Sequence, residues 1–348
     1  MEKLQIQKFG ITKDGSKPYL YKMKNDAGME VQVSDFGATL VNVTVLDQDK
    51  NPVEVVLGYE DAAGYENGTA AIGAIVGRNA NRIGGACVTI NEIDYKLAEN
   101  DGKNNLHSGP DVYQKRMWRV IENGDDHVTF LLHSPDGDQG YPGALDMKVT
   151  YTLDEENGLT IHYEAVPDQD TVINMTNHSY FNLNGHKSGS VLHHRMQLLS
   201  DAFTPADAQS IPTGEICSVD GTPMDFRSTK ELGAEIDAAY EPLILGNGYD
   251  HNWVLKNEGR FDKVAEVTGD ESGIVMEVWT DRPGVQIYTA NFLENEAGRN
   301  GAVYQKRDAV CLETQNYPDA VHQKNFPEAI CKKGETYDTK TAYRFHIE

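Results

Sequence analysis

Alternation of apolar and polar residues, renewed again and again along the chain, is the feature that most narrows the folds open to it. Val41, Val43 and Val45 alternate with Asn42 and Thr44, and Met147, Val149, Tyr151 and Leu153 alternate with Lys148, Thr150 and Thr152. A strand turns successive side chains to opposite faces, so a period of two predicts strands with one buried and one wetted face. The second run passes through Asp154-Glu155-Glu156-Asn157-Gly158 into Leu159, Ile161, Tyr163 and Ala165, interleaved with Thr160, His162 and Glu164, the pattern of a β-hairpin. Further strands are predicted over 128–132, 274–280 and 285–289.

No segment keeps a 3.6-residue apolar period over several turns, and only 228–239 and 319–324 are predicted as short helices. Hairpin strands with one apolar face need a second sheet to cover that face. The expected fold is therefore all-β and mostly antiparallel, a large β-sandwich with a few short helices. Glycine-rich connections such as SPDGDQGYPG at 134–143 supply turns. No repeat, low-complexity tract or linker divides the sequence, so one domain over residues 1–348 is expected. A chain of this size buries roughly 75% of its unfolded surface, enough for stability without metal or disulfides.

The 54 acidic residues outnumber the 31 basic ones, and the formal charge of -23 sets up a field that repels phosphate backbones and anionic headgroups. Nucleic acid and membrane surfaces are thereby disfavoured as partners, and a neutral small molecule is favoured. A phosphorylated ligand would need a local basic pocket, and no Lys/Arg cluster advertises one. Cys87, Cys217, Cys311 and Cys331 form no C-x-x-C pair and no metal-type spacing with histidine, so they read as free thiols in a reducing compartment. Residues 1–10 contain no apolar core of a secretory leader, and a cytoplasmic location is expected.

Against this β-type background stand short polar islands. GRNANRIGG at 77–85 carries two arginines, which could pair with surface carboxylates or, with Asn81 and Arg82, offer a donor fork to vicinal hydroxyls. His107 lies in a loop-forming stretch where it could simply bond backbone, and His178 lies among β-forming aromatics. Asp250 follows a glycine-led turn and could cap its own backbone. Trp253 nearby suits a core better than a sugar-stacking platform. Gln286 and Tyr288 share one face of a predicted strand. Glu313 lies inside another, on the face of Cys311 and Gln315, where a carboxylate must find partners or a solvated concavity.

Taken together, GRNANRI, NNLHSGP, NHSYFNL, GYDHNWVL, PGVQIYTANF and ETQNYPDAVHQKNFP, in this order between positions 77 and 327, resemble the galactose mutarotase (aldose 1-epimerase) family. Ser108 stands where that family usually has glycine and Ser179 where threonine is frequent. The resemblance implies a large β-sandwich with an open sugar cleft and no cofactor. The implied activity is interconversion of α and β anomers of free aldohexoses such as galactose or glucose. It implies Glu313 as general base, His178 as general acid, His107 near the ring oxygen, and Asn81, Arg82, Asp250 and Gln286 as hydroxyl-binding residues, with no metal. The expected partner is a neutral aldose, and the chain is expected to be a monomer or homodimer.

The chemistry suits these residue types: ring opening removes the proton from the C1 hydroxyl while the ring oxygen is protonated, which asks for one base and one acid. An unperturbed glutamate is ionised at neutral pH, and a nearby carboxylate is expected to favour the histidine cation. A carbohydrate-binding module would explain the cleft but not an acid with a base, and a hexose-phosphate mutarotase would need cations at the 6-position. A glycoside hydrolase would ask for two carboxylates, for which only Asp250 and Glu313 could serve, leaving His178 without a task.

Overall fold

The computed structural model describes residues 4–348, so the first three residues of the segment read as leaderless lie outside the described residues. Nine antiparallel strands form the largest sheet. In spatial order they are Arg119–Asn123, His127–Ser134, Leu145–Leu153, Gly158–Pro167, Tyr337–Ile347, Ile274–Thr280, Asp262–Thr268, Arg195–Leu198 and Lys230–Glu231. The expected hairpin is there, with Leu153 opposite Leu159 and Leu145 opposite Pro167. Alternation explains its seating: Leu145, Met147, Val149, Tyr151 and Leu153 are buried while Asp146 and Lys148 stand in water.

Two five-stranded sheets cover the inner face of the large one. The first runs Leu4–Lys8, Tyr19–Lys24, Glu30–Ser34, Thr39–Leu46 and Pro52–Glu54. The other is ordered Cys217–Ser218, Ala202–Thr204, Asp250–Val254, Gly284–Tyr288 and Cys311–Gln315. Val31, Val43, Val149, Ile161, Leu312 and Tyr343 share one apolar core between these layers. Buried tyrosines finish the seam with polar tips: Tyr151 Oη donates to the Ala38 carbonyl at 2.7 Å, and Tyr343 Oη to that of Leu312 at 3.3 Å. The result is a large β-sandwich, as the alternation predicts. Cys311 and Cys331 are buried in it, while Cys87 and Cys217 are partly exposed.

The short helices are not where the apolar spacing puts them. Segment 319–324 is turn, and in 228–239 Lys230–Glu231 instead pairs with Arg195–Met196 at the sheet edge. Leu232 and Ile236 in this segment reach the core from turns. Helices form at Ala62–Asn67 and Glu241–Gly246. The latter starts with Pro242 in its first turn and stops at Asn247, whose left-handed φ of 56° lets its N–H bond the Leu243 and Ile244 carbonyls. Among the described residues no helix is long and apolar enough to cross a membrane.

Arg78, the first arginine of GRNANRIGG, is 0% exposed. Rather than meeting a surface carboxylate, its guanidinium donates to Ser134 Oγ at 2.7 Å, to the Pro135 and Pro142 carbonyls at 3.0 and 2.9 Å, and to Thr171 Oγ1 at 3.2 Å. It pins the connection 134–143 against the segment that carries Asn81 and Arg82. Replacing it with Met leaves several buried acceptors without a donor, each costing about 1–3 kcal/mol. Arg78→Met is expected to lower the unfolding free energy by about 3 kcal/mol or more, read from urea denaturation; a loss below about 1 kcal/mol would show that these acceptors find other partners.

Candidate active site

Strand register builds one wall of a cleft of about 380 Å³. In the third sheet Asn252, Gln286 and Glu313 lie opposite one another, and Asp250, Tyr288 and Cys311 form the next row. Residues directly opposite in a ladder share a face, as do residues two apart along a strand, so all of these side chains point the same way. Asp250 and Glu313 line the cleft. Gln286 sits behind Asp250 and donates from Nε2 to its Oδ1 at 2.7 Å, so Asp250 is held by a side chain rather than capping its own turn.

His178 comes from Thr176–His178, which pairs with Ala74–Val76. Asn81, Arg82 and His107 come from a two-strand ladder in which Leu106 faces Arg82. There the His107 N–H donates to the Asn81 carbonyl at 3.0 Å, and the Asn81 N–H returns a bond to His107 Nδ1 at 3.1 Å. The backbone here is strained: Asn81, His107 and Ser108 have φ of 60°, 51° and 69°. Ser108 occupies a conformation that glycine adopts freely, which accounts for glycine's suitability there. Its hydroxyl compensates by accepting from the Asn79 N–H at 2.8 Å and donating to the Asn79 carbonyl at 3.1 Å.

The fold thus brings Asn81, Arg82, His107, His178, Asp250 and Glu313 to one cleft, with Gln286 in contact with Asp250. Sequence reasoning gave no role to the aromatic residues around them. Tyr180 stacks on His178 with ring centres 5.1 Å apart, and Tyr288 meets it edge-on at 6.1 Å. Phe292, 65% exposed, lies almost parallel to Tyr288 at the cleft margin. Strand parity puts Tyr288 on the face of Gln286; Phe292 sits within a turn and no periodicity marks it. Trp253 is in the core, 1% exposed, with Nε1 donating to the Met224 carbonyl.

Glu313 Oε1 lies 3.5 Å from His178 Nε2, close but longer than a strong hydrogen bond. The protonation expected from the sequence is reversed in the free cleft. Burial holds His178 down at about 4, so the ring is neutral at physiological pH. Burial, then the charge of Asp250, pushes Glu313 well above the usual carboxylate range, with Arg82 opposing. Asp250 is raised by burial against the pull of Arg82 and the Gln286 hydrogen bond. His107, with an edge open to the cleft, is still held well below its ordinary value by burial, then by the charges of His178 and Arg82. The nearby carboxylate does not win because removing both groups from water costs each its charged form.

Ligand atoms of His107, His178 and Glu313 lie within 4.8 Å of one another, the two-histidine, one-glutamate donor set of some catalytic zinc centres. The hydrogen bonding argues against a resident metal. His107 Nδ1 accepts the Asn81 N–H, so the neutral ring carries its own proton on Nε2. A metal-bound histidine does the opposite, donating from its far nitrogen. One nitrogen is occupied by a donor and the other is protonated, and the trio does not fit a cation without a tautomer change.

The aldose 1-epimerase family profile matches residues 19–344. A galactose mutarotase of Bos taurus is 42% identical over 330 residues, 94% of this chain and 94% of that one. An aldose 1-epimerase of Escherichia coli (strain K12) is 36% identical over 341 residues, 97% of this chain and 98% of that one. The crystal structure of an aldose epimerase homologue from C. elegans matches with a TM-score of 0.87 at 29% identity, covering 94% of this chain and 98% of its own.

The depressed His178 titration has a direct readout. A proton is taken up only as pH falls through about 4, so NMR of ring-labelled protein is expected to find His178 neutral from pH 7 down to about 5. A midpoint near the unperturbed value of about 6.5 would mean that Glu313 carries its charge in the free cleft.

Proposed function

The chain belongs to the aldose 1-epimerase family, and on that premise we propose that it interconverts the α and β anomers of free aldohexoses such as galactose or glucose by opening and reclosing the ring. The observation that carries this reading is the approach of His178 and Glu313 to 3.5 Å in a cleft lined by polar side chains capable of hydrogen-bonding hydroxyls. In this reading Glu313 is the general base at the C1 hydroxyl and His178 the general acid at the ring oxygen. His107 offers its Nε2 proton near that oxygen. Arg82 uses Nε on Asp101 at 2.7 Å, which leaves its terminal nitrogens for hydroxyls. Asn81, Asp250 and Gln286 hold other hydroxyls. Among the described residues Glu313 Oε2 and Gln286 Oε1 are buried with no hydrogen-bond partner, as acceptors awaiting sugar hydroxyls would be.

The proton count closes. With the ring shut, the Glu313 carboxylate takes the O1 proton and the His178 imidazolium gives its Nε2 proton to O5. The O–H electron pair becomes the second C1–O1 bond and the C1–O5 pair becomes the new O5–H bond. What remains is an aldehyde beside a neutral acid and a neutral imidazole. Rotation about C1–C2 offers the other carbonyl face, and the same steps run backwards. The pair holds one proton throughout, and its uncharged form, which burial favours, is the one that accompanies the open chain. One acid and one base complete the cycle, so the reading includes no cofactor. It also takes residues 1–348 as one domain, supported by cleft walls drawn from Thr69 through Glu313.

A neutral substrate is favoured over a phosphorylated one. Arg82 is accompanied in the cleft by Asp250, Glu294, Glu296 and Glu313, and among the described residues no lysine lines it. The kcat/KM for glucose is expected to exceed that for glucose 6-phosphate by about tenfold or more, the equivalent of about 1.4 kcal/mol; equal values would bring back the phosphosugar reading. Polarimetry on freshly dissolved α-anomer tests the roles themselves. Glu313→Gln and His178→Asn are each expected to lower kcat by about 10²–10⁴ with the fold retained, and near wild-type turnover would remove that residue from the mechanism.

A further inference from the structure

A general acid works only if its far nitrogen also has a partner, because that partner fixes the ring plane and sets how readily the near nitrogen gives up its proton. His178 Nδ1 lies 3.6 Å from Cys311 Sγ, and both residues are buried. Cys311 sits two residues before Glu313 on the same face of the same strand, so the strand that presents the base to the sugar also presents a thiol to the back of the acid. Tyr180 stacked on one side and the edges of His107 and Tyr288 leave the imidazole little room to turn.

We propose that Cys311 is a positioning residue for His178: its thiol holds the imidazole with Nε2 toward Glu313 and the ring oxygen, and serves Nδ1 as a deliberately weak two-way hydrogen-bond partner. Toward the neutral ring the S–H donates to an unprotonated Nδ1. Once Nδ1 carries a proton, as in the imidazolium and just after Nε2 has given its proton away, the sulfur accepts. Burial, then the charges of Glu313 and Asp250, keep the thiol protonated, so no thiolate competes for the ring's charge. A carboxylate in this place would pin the imidazolium and make it a poorer acid toward the weakly basic ring oxygen. Sulfur is weak both as donor and as acceptor, which keeps orientation while leaving the proton mobile.

The charged and titratable groups that face His178 from other elements are Glu313 and Cys311 on one strand, Tyr288 and then Asp250 on the next two, and His107 and Arg82 from the ladder at 82–107. All of these except Cys311 itself are unchanged by a substitution confined to residue 311. This inference rests on His178 acting at the ring oxygen, so its test combines a structural readout with a kinetic one.

Cys311→Ser puts a stronger hydrogen-bonding group in nearly the same place, and Cys311→Ala removes the partner. In the serine variant the His178 midpoint, followed by NMR in the free protein, is expected to rise by about half a unit or more. In the alanine variant kcat is expected to fall about tenfold with KM little changed, and serine is expected to restore most of that loss. An unmoved His178 midpoint in Cys311→Ser, or wild-type kcat in Cys311→Ala, overturns the proposal. If no variant and no wild-type protein turned over any aldose, the epimerase reading would fall, and the midpoint alone would still decide the role of Cys311.

Discussion

The register of one ladder governs the chemistry of the whole molecule. Gln286 opposite Glu313, and Tyr288 opposite Cys311, fix which side chains of Gly284–Tyr288 and Cys311–Gln315 face the cleft. Slipping Cys311–Gln315 by one residue would turn Glu313 away and bring Leu312 forward. What prevents the slip is the opposite face, where Val285, Ile287 and Leu312 enter the main core. The energy that holds the Glu313 carboxyl in place is thus mostly hydrophobic, delivered to it through the two-residue period of the strand.

The same enclosure sets the electrostatics. A carboxyl and an imidazole brought together in water would tend to an ion pair, yet here desolvation outweighs mutual attraction and moves the two titrations in opposite directions. Arg82 tempers the effect without cancelling it, since it is shared with Asp101 and Asp250. On the proposed reading, the charged form of the pair is drawn out by a bound sugar, whose hydroxyls hydrogen-bond the two groups.

Much of the scaffold could be read from the chain alone because period-two alternation is local. The hairpin from Leu145 to Pro167, the strand Ile274–Thr280 and the antiparallel class all follow from it. The short helices could not be read in the same way: Glu241–Gly246 is defined by a proline and a left-handed asparagine rather than by an apolar stripe, and 228–239 was claimed by a sheet edge. The cleft residues were legible only as a set in order, since each has an ordinary local explanation. Arg78 illustrates the limit, for it shares a motif with Arg82 and does a different job. Protonation was misjudged because burial is a property of the folded surroundings, not of neighbouring letters. The Cys311 contact joins residues 133 positions apart, and parity reveals the face of the thiol but not what it meets.

The reciprocal bonds between Asn81 and His107 carry a consequence for recognition. Each backbone is clasped by the other residue, both in left-handed conformations, with the Ser108 hydroxyl tying the clasp to Asn79. A flexible binding loop surrenders its rotational freedom when the ligand arrives, and affinity is reduced accordingly. Here that ordering is completed during folding, so on the proposed reading the entropy left to lose on association belongs mainly to the sugar.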